Sequence, residues 1–492
     1  MKTNTLDFDA QTLREKILDL AMRGKLVPQD PDDEPASVLL EKIKAEKEEL
    51  IKEKKIKKSK PLPEITDDEK PFEIPDSWEW VRFGDVVTFS LGKTPKRADN
   101  KYWHKGDVPW VSVSDLGKEK FLLRTKESIT SKALNDVFKG RLAPSGTLLM
   151  SFKLSIGKVG ILNMAAVHNE AIISINPIID INHITRDYLY YVLPILSNKS
   201  DYTPAIKGKT LNKTLLNDLI VPLPPLSEQS RIAAKIAQLF ALLRKVESSI
   251  QQYANLKDLL KSKLLGLAMR GKLVEQDSTD ESANVLLDRI KVERDQLIKE
   301  KKIKKTKSLA EISDDEKPFD IPNSWKWVRL GDVVSIKGGK RVPKGKKLVD
   351  YQAVRPYIRV TDMKEYTVST NDLKYVTQDV YDQIKKYTIS SNDIYFSIAG
   401  TIGKVGKVPD KVSGALLTEN AAKLTPYDAN KDFLIQALSS NIVEKQHKKI
   451  LSQVAQPKLS LIKLRQTIIP LPPLSEQRRI VSKLEQLFAL IS

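Results

Sequence analysis

Pro222-Leu223-Pro224-Pro225-Leu226-Ser227-Glu228-Gln229 opens a run whose apolar residues fall at Ile232, Ile236, Leu239, Leu243, Val246, Ile250, Tyr253, Leu256, Leu260, Leu264 and Leu267. Their mean spacing is about 3.5 residues, the heptad period of helices that wrap around one another. Proline does not fit a helix interior, so the helix is expected to begin after the Pro-Pro pair. Ser227 is the candidate N-cap, and Glu228 places a carboxylate at the positive end of the helix dipole. A helix from Ser227 to Met269 would be about 60 Å long at about 1.5 Å per residue, and Gly271 offers a stop. A stripe of this kind reads as core.

The same eight residues return at Pro470 to Gln477, a shift of 248. Ala21-Met22-Arg23-Gly24-Lys25-Leu26-Val27 returns as Ala268 to Val274, and Gly157-Lys158-Val159-Gly160 as Gly403 to Gly406. Glu69 to Val87 returns as Glu316 to Val334 with fifteen of nineteen positions identical, so that Trp78 and Trp325 stand 247 apart. Such a period is too long for a solenoid. It indicates a duplicated domain arranged about a pseudo-twofold within one polypeptide. The copies differ unevenly: the framework matches, whereas 91–156 and 338–402 barely align. Two similar frames hold two different inserts, as expected of one device that reads two different things.

The ends of the chain supply the long helix again in pieces. Ser475 to Ile491 matches its first part, and Leu13, Ile17 and Leu20 match Leu260, Leu264 and Leu267. The two termini are therefore expected to meet and to pack antiparallel to the central helix. Further helices are predicted over Ala36 to Lys55 and Ala283 to Lys302, the first with Val38, Leu39, Ile43, Leu50 and Ile51 on its apolar face. Each runs into Lys-Glu-Lys-Lys-Ile-Lys-Lys, at 52–58 and 299–305. A charge run reads as a solvated helix end or linker, with a partner-docking surface as the alternative.

The inserts are richer in strands. Val108 to Val113, Thr147 to Phe152 and Ala171 to Ile175 have the β-branched and aromatic content of strands, as do Pro356 to Val360, Asp393 to Ser397 and Ala415 to Leu424. Gly157, Gly160, Gly403 and Gly406 mark tight turns carrying Lys158 and Lys404. Loops at 92–97 with Tyr102-Trp103-His104, and at 338–347, mix basic, polar and aromatic residues. Arginine and lysine reach phosphates or guanine edges, although any basic surface loop has the same composition. Trp78, Trp80, Trp325 and Trp327 flank both frames and read as core rather than as stacking platforms.

Composition sets the bounds. The chain has 492 residues, enough for three or four domains, and 82 basic against 63 acidic residues give a net charge of +19 and a pI near 9.5. Such an excess favours polyanions through phosphate attraction and counterion release; a basic protein that is merely soluble shares it. There is no cysteine, which excludes disulfides, zinc ribbons and thiol nucleophiles. No run suits a signal peptide or a membrane span, so a soluble, cytoplasmic protein without membrane partners is expected. The Asn/Asp-Pro-Pro-aromatic loop of an adenine methyltransferase and the Gly-x4-Gly-Lys-Ser/Thr loop of a motor are both missing. Asp76 with Asp99-Asn100-Lys101 resembles a magnesium nuclease site only faintly, because the other copy has Asn323 at the place of Asp76. His104, His168, His183 and His447 have no ligand spacing. No catalytic and no metal-binding residue is assigned.

Taken together, the twin Pro-Leu-Pro-Pro-Leu-Ser-Glu-Gln and Ala-Met-Arg-Gly-Lys-Leu-Val strings resemble the specificity subunits of type I restriction–modification systems. So do Ser151-Phe152 with Ser155 to Gly160, Asn169-Glu170-Ala171, Tyr357 to Asp362, Ser397 with Gly403 to Gly406, and Thr418-Glu419-Asn420-Ala421. Asp33 to Leu40, with its second copy, suggests one subgroup. The resemblance implies an α+β fold in which two α/β target-recognition domains are separated by long antiparallel helices forming a coiled coil. It divides the chain into a helical region 1–70, a recognition domain 71–222, a central helical spacer 223–315, a second recognition domain 316–470 and a terminal helix 471–492. It implies a targeting subunit without catalysis that reads both halves of a bipartite, asymmetric duplex DNA site. It also implies docking of two methyltransferase subunits, which modify adenine, and through them of nuclease-translocase subunits. No cofactor is then expected in this chain; S-adenosylmethionine, ATP and magnesium would belong to the partners. The candidate DNA contacts are Lys93, Lys96, Arg97, Lys153, Lys158 and Lys209 in the first domain. Those in the second are Lys340, Arg341, Lys344, Arg359, Lys404 and Lys458. Three alternatives remain: a subunit of a fused type II-like restriction–methylation enzyme, a coiled-coil scaffold that reads no DNA, and a self-sufficient enzyme.

Overall fold

The computed structural model describes residues 8–58, 60–199, 203–205, 208–364, 366–452 and 457–491. The chain divides into two units, Asn4–Ile250 and Gln251–Ser492, and the division falls inside one helix of 44 residues, Leu226–Met269. Each unit carries the same elements in the same order. In the first, helices Ala10–Met22 and Ala36–Lys52 precede strand Glu79–Arg82, which pairs antiparallel with Ile220–Leu223. The insert lies between those two strands, and the first half of the long helix follows. In the second unit the other half of the long helix stands where Ala10–Met22 stood. Ala283–Lys299 follows, Lys326–Arg329 pairs with Ile468–Leu471 around the second insert, and Leu474–Leu490 closes the chain.

The frame is held by polar contacts that recur copy for copy. The helices before each insert end in the same closure: Gly24 and Gly271 take φ +66° and +67°, and Lys25 and Lys272 donate back to Leu20 and Leu267. That pattern satisfies the last carbonyls of a helix and needs a left-handed residue. A side chain would not fit there in any case, since a Cβ on Gly24 would meet Pro75 at 2.4 Å and one on Gly271 would meet Pro322 at 2.5 Å. Trp78 Nε1 donates to Glu228 at 2.8 Å and Trp325 Nε1 to Glu476 at 2.8 Å, while Gln29 and Gln276 donate to the same two carboxylates. Arg231 pairs with Asp33, and Arg479 with Asp280, each at 2.6 Å or closer. Arg82 and Arg329 are buried and bridge Glu69 and Glu316 to backbone carbonyls of the segments 63–64 and 310–311.

Each unit has its own core. The first gathers Met22, Leu39, Ile43, Trp78, Ile173, Tyr188, Ile232 and Ile236, and the second Met269, Leu286, Ile290, Trp325, Phe396, Phe433 and Ile480. The first insert carries a five-stranded sheet ordered Val87–Leu91, Ile172–Pro177, Leu148–Ser151, Val159–Leu162, Phe121–Leu122. A three-stranded sheet beside it centres on Val108–Val111, parallel to Val167–His168. The second insert repeats this plan with two four-stranded sheets, and Arg355–Ile358 lies parallel to Ala415–Leu417. The α+β expectation and the internal repeat are both borne out.

Four expectations are corrected. Ser227 is not an N-cap: the helix already begins at Leu226, and the Ser227 hydroxyl bonds to Asp33. Gly160 and Gly406 lie in strands rather than turns, where the missing side chain admits Leu122 at 3.2 Å and the Tyr366 carbonyl at 2.3 Å from the Cβ position. The strand over 415–424 is two strands, Ala415–Leu417 and Ala421–Pro426, because Thr418-Glu419-Asn420 turns between different sheets. The predicted stripe of the long helix is core at Ile232, Ile236 and Leu243, but Ile250, Tyr253, Leu256, Leu260 and Leu267 are exposed, and towards the helix end it is Leu265, off that stripe, that is buried. Residues 1–7 lie outside the described residues, and with them the expected meeting of the termini.

Candidate nucleic-acid interface

Both inserts build the same small platform from two turns and one connecting segment. In the first insert, Gly92 N–H donates to the Ile172 carbonyl at 3.1 Å and Lys93 N–H to that of His168 at 2.9 Å. Phe152 N–H reaches the Ala171 carbonyl at 2.9 Å. In the second, Gly339 donates to Ala421, Lys340 to Leu417, and Ile398 to Asn420, all at 2.8–3.0 Å. The loop starting at Gly92 or Gly339 and the turn starting near Ser151 or Ser397 thus converge on one segment, 168–172 or 417–421. Glycine is required at the approach: a Cβ would lie 2.1 Å from the Asn169 carbonyl at Gly92, and 2.1 Å from that of Thr418 at Gly339.

The second turn is held by a serine. Ser151 Oγ accepts from Lys158 N–H at 3.0 Å and donates to the Ser155 carbonyl, while Ser397 Oγ accepts from Lys404 N–H at 2.8 Å and donates to the Thr401 carbonyl. Gly157 and Gly403, at φ +80° and +95°, complete the bend. Lys158 is exposed on it; Lys404 is half-buried and spends its ammonium on the Val360 carbonyl at 3.1 Å.

On this shared scaffold the side chains differ. Arg97 lies over Trp103 at 4.0 Å and Trp110 at 4.7 Å and pairs with Glu127, a stacked and fixed guanidinium. Trp110 and Trp103 donate in turn to the carbonyls of Lys93 and Lys96. In the second insert Tyr357 OH donates to the Lys340 carbonyl at 2.7 Å, and Arg341, its side chain 80% exposed, pairs with Glu419. Lys93 Nζ donates to the Val137 carbonyl, and Lys96, Lys344 and Lys458 are exposed. Lys153 is half-buried on a strand that pairs with Gly208–Thr210. The side chain of Lys209, on that partner strand, lies outside the described residues. Arg359 lies between Ile358, whose carbonyl accepts from Thr418 N–H, and Val360, whose carbonyl accepts from Lys404, and its guanidinium is taken up by Asp362 at 2.7 Å and by Asp372.

Basic residues alone were singled out from sequence, and that missed the acids and amides between the turns. Glu170 accepts from Thr94, Glu419 from Arg341, and Asn169 and Asn420 sit beside them. Carboxylates accept from cytosine and amides pair with adenine. Their signal lies in Asn169-Glu170-Ala171 and Thr418-Glu419-Asn420-Ala421, which occupy the same place in the two copies and share the glutamate, Glu170 and Glu419. Among the described residues no cluster of acids and histidines could hold a metal ion, and no helix is long and apolar enough to cross a membrane. Asp99 is occupied by Lys101 at 2.8 Å.

The profile of the type I restriction modification DNA specificity domain matches residues 75–252 and 322–492, so this chain belongs to the family of type I restriction–modification specificity subunits. It is a targeting subunit, not the catalytic one. The specificity subunit of the type I restriction enzyme EcoAI of Escherichia coli is 32% identical over 98% of this chain and 89% of its own length. That of EcoEI, also from Escherichia coli, is 34% identical over 67% of this chain and 62% of its own. Among solved structures, a chain from "Structural basis underlying complex assembly and conformational transition of the type I R-M system" superposes with a TM-score of 0.55. It is 18% identical and covers 86% of this chain and 92% of that one, a likeness of fold.

Proposed function

We propose that the two inserts each read one half of a bipartite, asymmetric duplex DNA site, while the helical frame sets the gap and docks two methyltransferase subunits. Nuclease-translocase subunits join through them. S-adenosylmethionine, ATP and magnesium then belong to those partners, and the complex works in the cytoplasm. The single observation that supports this reading is the twin platform: one backbone arrangement, built on matching frames, presents Arg97 stacked on tryptophans in one copy and Arg341 exposed in the other. A device duplicated to read one sequence twice would have no need of different side chains there.

Recognition is assigned to 71–222 and 316–470, and the helical parts to 1–70, 223–315 and 471–492, the two halves being copies of one unit. Lys93, Lys96, Arg97, Lys153, Lys158 and Lys209 face one half-site; Lys340, Arg341, Lys344, Arg359, Lys404 and Lys458 face the other. Arg359 and Lys404 must exchange protein partners for DNA to take part. Mapping methylated bases in a host expressing this chain with its methyltransferase tests the reading. A two-part asymmetric motif is expected; a palindromic or one-part motif contradicts it.

A further inference from the structure

The helices Ala36–Lys52 and Ala283–Lys299 end in the same closure as the helices before them, with Lys55 donating to Leu50 and Lys302 to Leu297. Here the left-handed position is held by lysine: Lys54 at φ +58° and Lys301 at φ +56°. A side chain is disfavoured in that conformation, and the same chain uses glycine for it at Gly24 and Gly271. Both copies nevertheless keep lysine.

Drift between the copies points the same way. Over 36–49 and 283–296, seven of fourteen positions differ, six of them exposed in the first copy; over 50–58 and 297–305, all nine are identical. Yet those nine include the most solvent-exposed stretch of the element. Lys55 pairs with Glu53, and Lys302 with Glu300. Lys52, Lys54, Lys57 and Lys58 are exposed, and no ion pair joins them to another described residue. Exposed residues without internal partners are free to change unless something outside the chain holds them.

We infer that the loops 52–58 and 299–305 are two sequence-independent phosphate-binding sites that grip the DNA backbone. A half-site differs from its mate in bases, but its backbone does not, which accounts for identical loops beside divergent inserts. Protein interfaces are depleted in lysine, whereas phosphate contacts are made by lysine and arginine; a loop with five lysines and one glutamate fits the second. The inference rests on the DNA-reading function proposed above.

The test uses the full chain assembled with its methyltransferase, and duplexes with and without the mapped motif, between about 50 and 200 mM salt. The variant carries Lys54→Gly, Lys57→Gln, Lys58→Gln, Lys301→Gly, Lys304→Gln and Lys305→Gln. Removing one lysine–phosphate pair flattens the slope of log K against log salt by about 0.9, so a slope several units shallower is expected. Both duplexes should lose affinity by the same factor, roughly tenfold or more at low salt. Thermal stability should hold or rise, because glycine suits positions 54 and 301 better than lysine. An unchanged slope overturns the inference, and so does loss of methyltransferase from the complex, which would make the loops a protein-docking surface. Failure of the unsubstituted complex to prefer its motif would instead overturn the proposed function.

Discussion

Trp78 hands its indole N–H to the Glu228 carboxylate at 2.8 Å, tying the residue that precedes the first insert to the helix that follows it. Gln29 donates to the other oxygen of the same group. Burial pushes the Glu228 carboxyl above its usual range, and the two donors pull it back. Glu228→Ala leaves the buried Trp78 indole N–H without its acceptor, at about 1–3 kcal/mol, whereas the exposed Gln29 keeps its bond to the Gly24 carbonyl. The substitution should lower the unfolding midpoint of its unit in calorimetry. Trp78→Phe strands the carboxylate. A buried acid raised above its unfolded pKa destabilises above that pKa and is relieved by protonation, so this variant should recover part of its deficit at pH 5 relative to pH 8.

His447 is buried, with Nε2 2.9 Å from Thr467 Oγ1, and burial holds its pKa at about 4. His168 is also buried and held at about 4. Each is neutral when folded, while an unfolded histidine titrates near 6.5. The unfolded state therefore gains protons first, and stability is lost as pH falls from about 6.5 towards 4, at up to about 1.4 kcal/mol per unit for each ring. Unfolding midpoints across that window should fall, and His447→Gln should flatten the curve. An unchanged slope in that variant would show that His447 is not a source of the dependence.

Gly92→Ala and Gly339→Ala each press a methyl against a carbonyl 2.1 Å away. Backbone cannot yield that far without opening the platform. Binding to DNA altered at one half-site should become indifferent to that half, a different half for each substitution, as read by competition with half-mutated duplexes. Sensitivity to both halves surviving in either variant would remove the platform from recognition.

Some of this was legible in the sequence, and the limits have physical reasons. The long helix showed itself through its 3.5-residue period, and the frame through direct repetition. Strand Glu79–Arg82 escaped notice because its partner Ile220–Leu223 lies well over a hundred residues away, and a four-residue strand has no periodicity of its own. The break at Thr418-Glu419-Asn420 was hidden by the β-forming residues around it. Nothing in the spacing of Ile250, Tyr253, Leu256 and Leu260 distinguishes an exposed heptad from a buried one. At the platform, basic residues were visible one by one, but their convergence depends on long-range hydrogen bonds such as Gly92 to Ile172.

The helix Leu226–Met269 passes from one unit to the next without interruption. Inserting seven residues after Ile250 keeps the heptad face in phase and lengthens the helix by about 10 Å at about 1.5 Å per residue, the rise of about three base pairs at 3.4 Å each. The methylated motif should keep both halves and widen its gap, or the complex should fail to assemble. An unchanged gap with full methylation would show that this helix sets no distance.

The most direct test exchanges residues 91–220 for the corresponding insert of another family member and maps the methylated bases in a host that supplies the methyltransferase. Two independent readers on a common frame predict a new sequence in one half of the motif, with the other half and the gap retained. A motif altered in both halves, or in neither, would contradict the account.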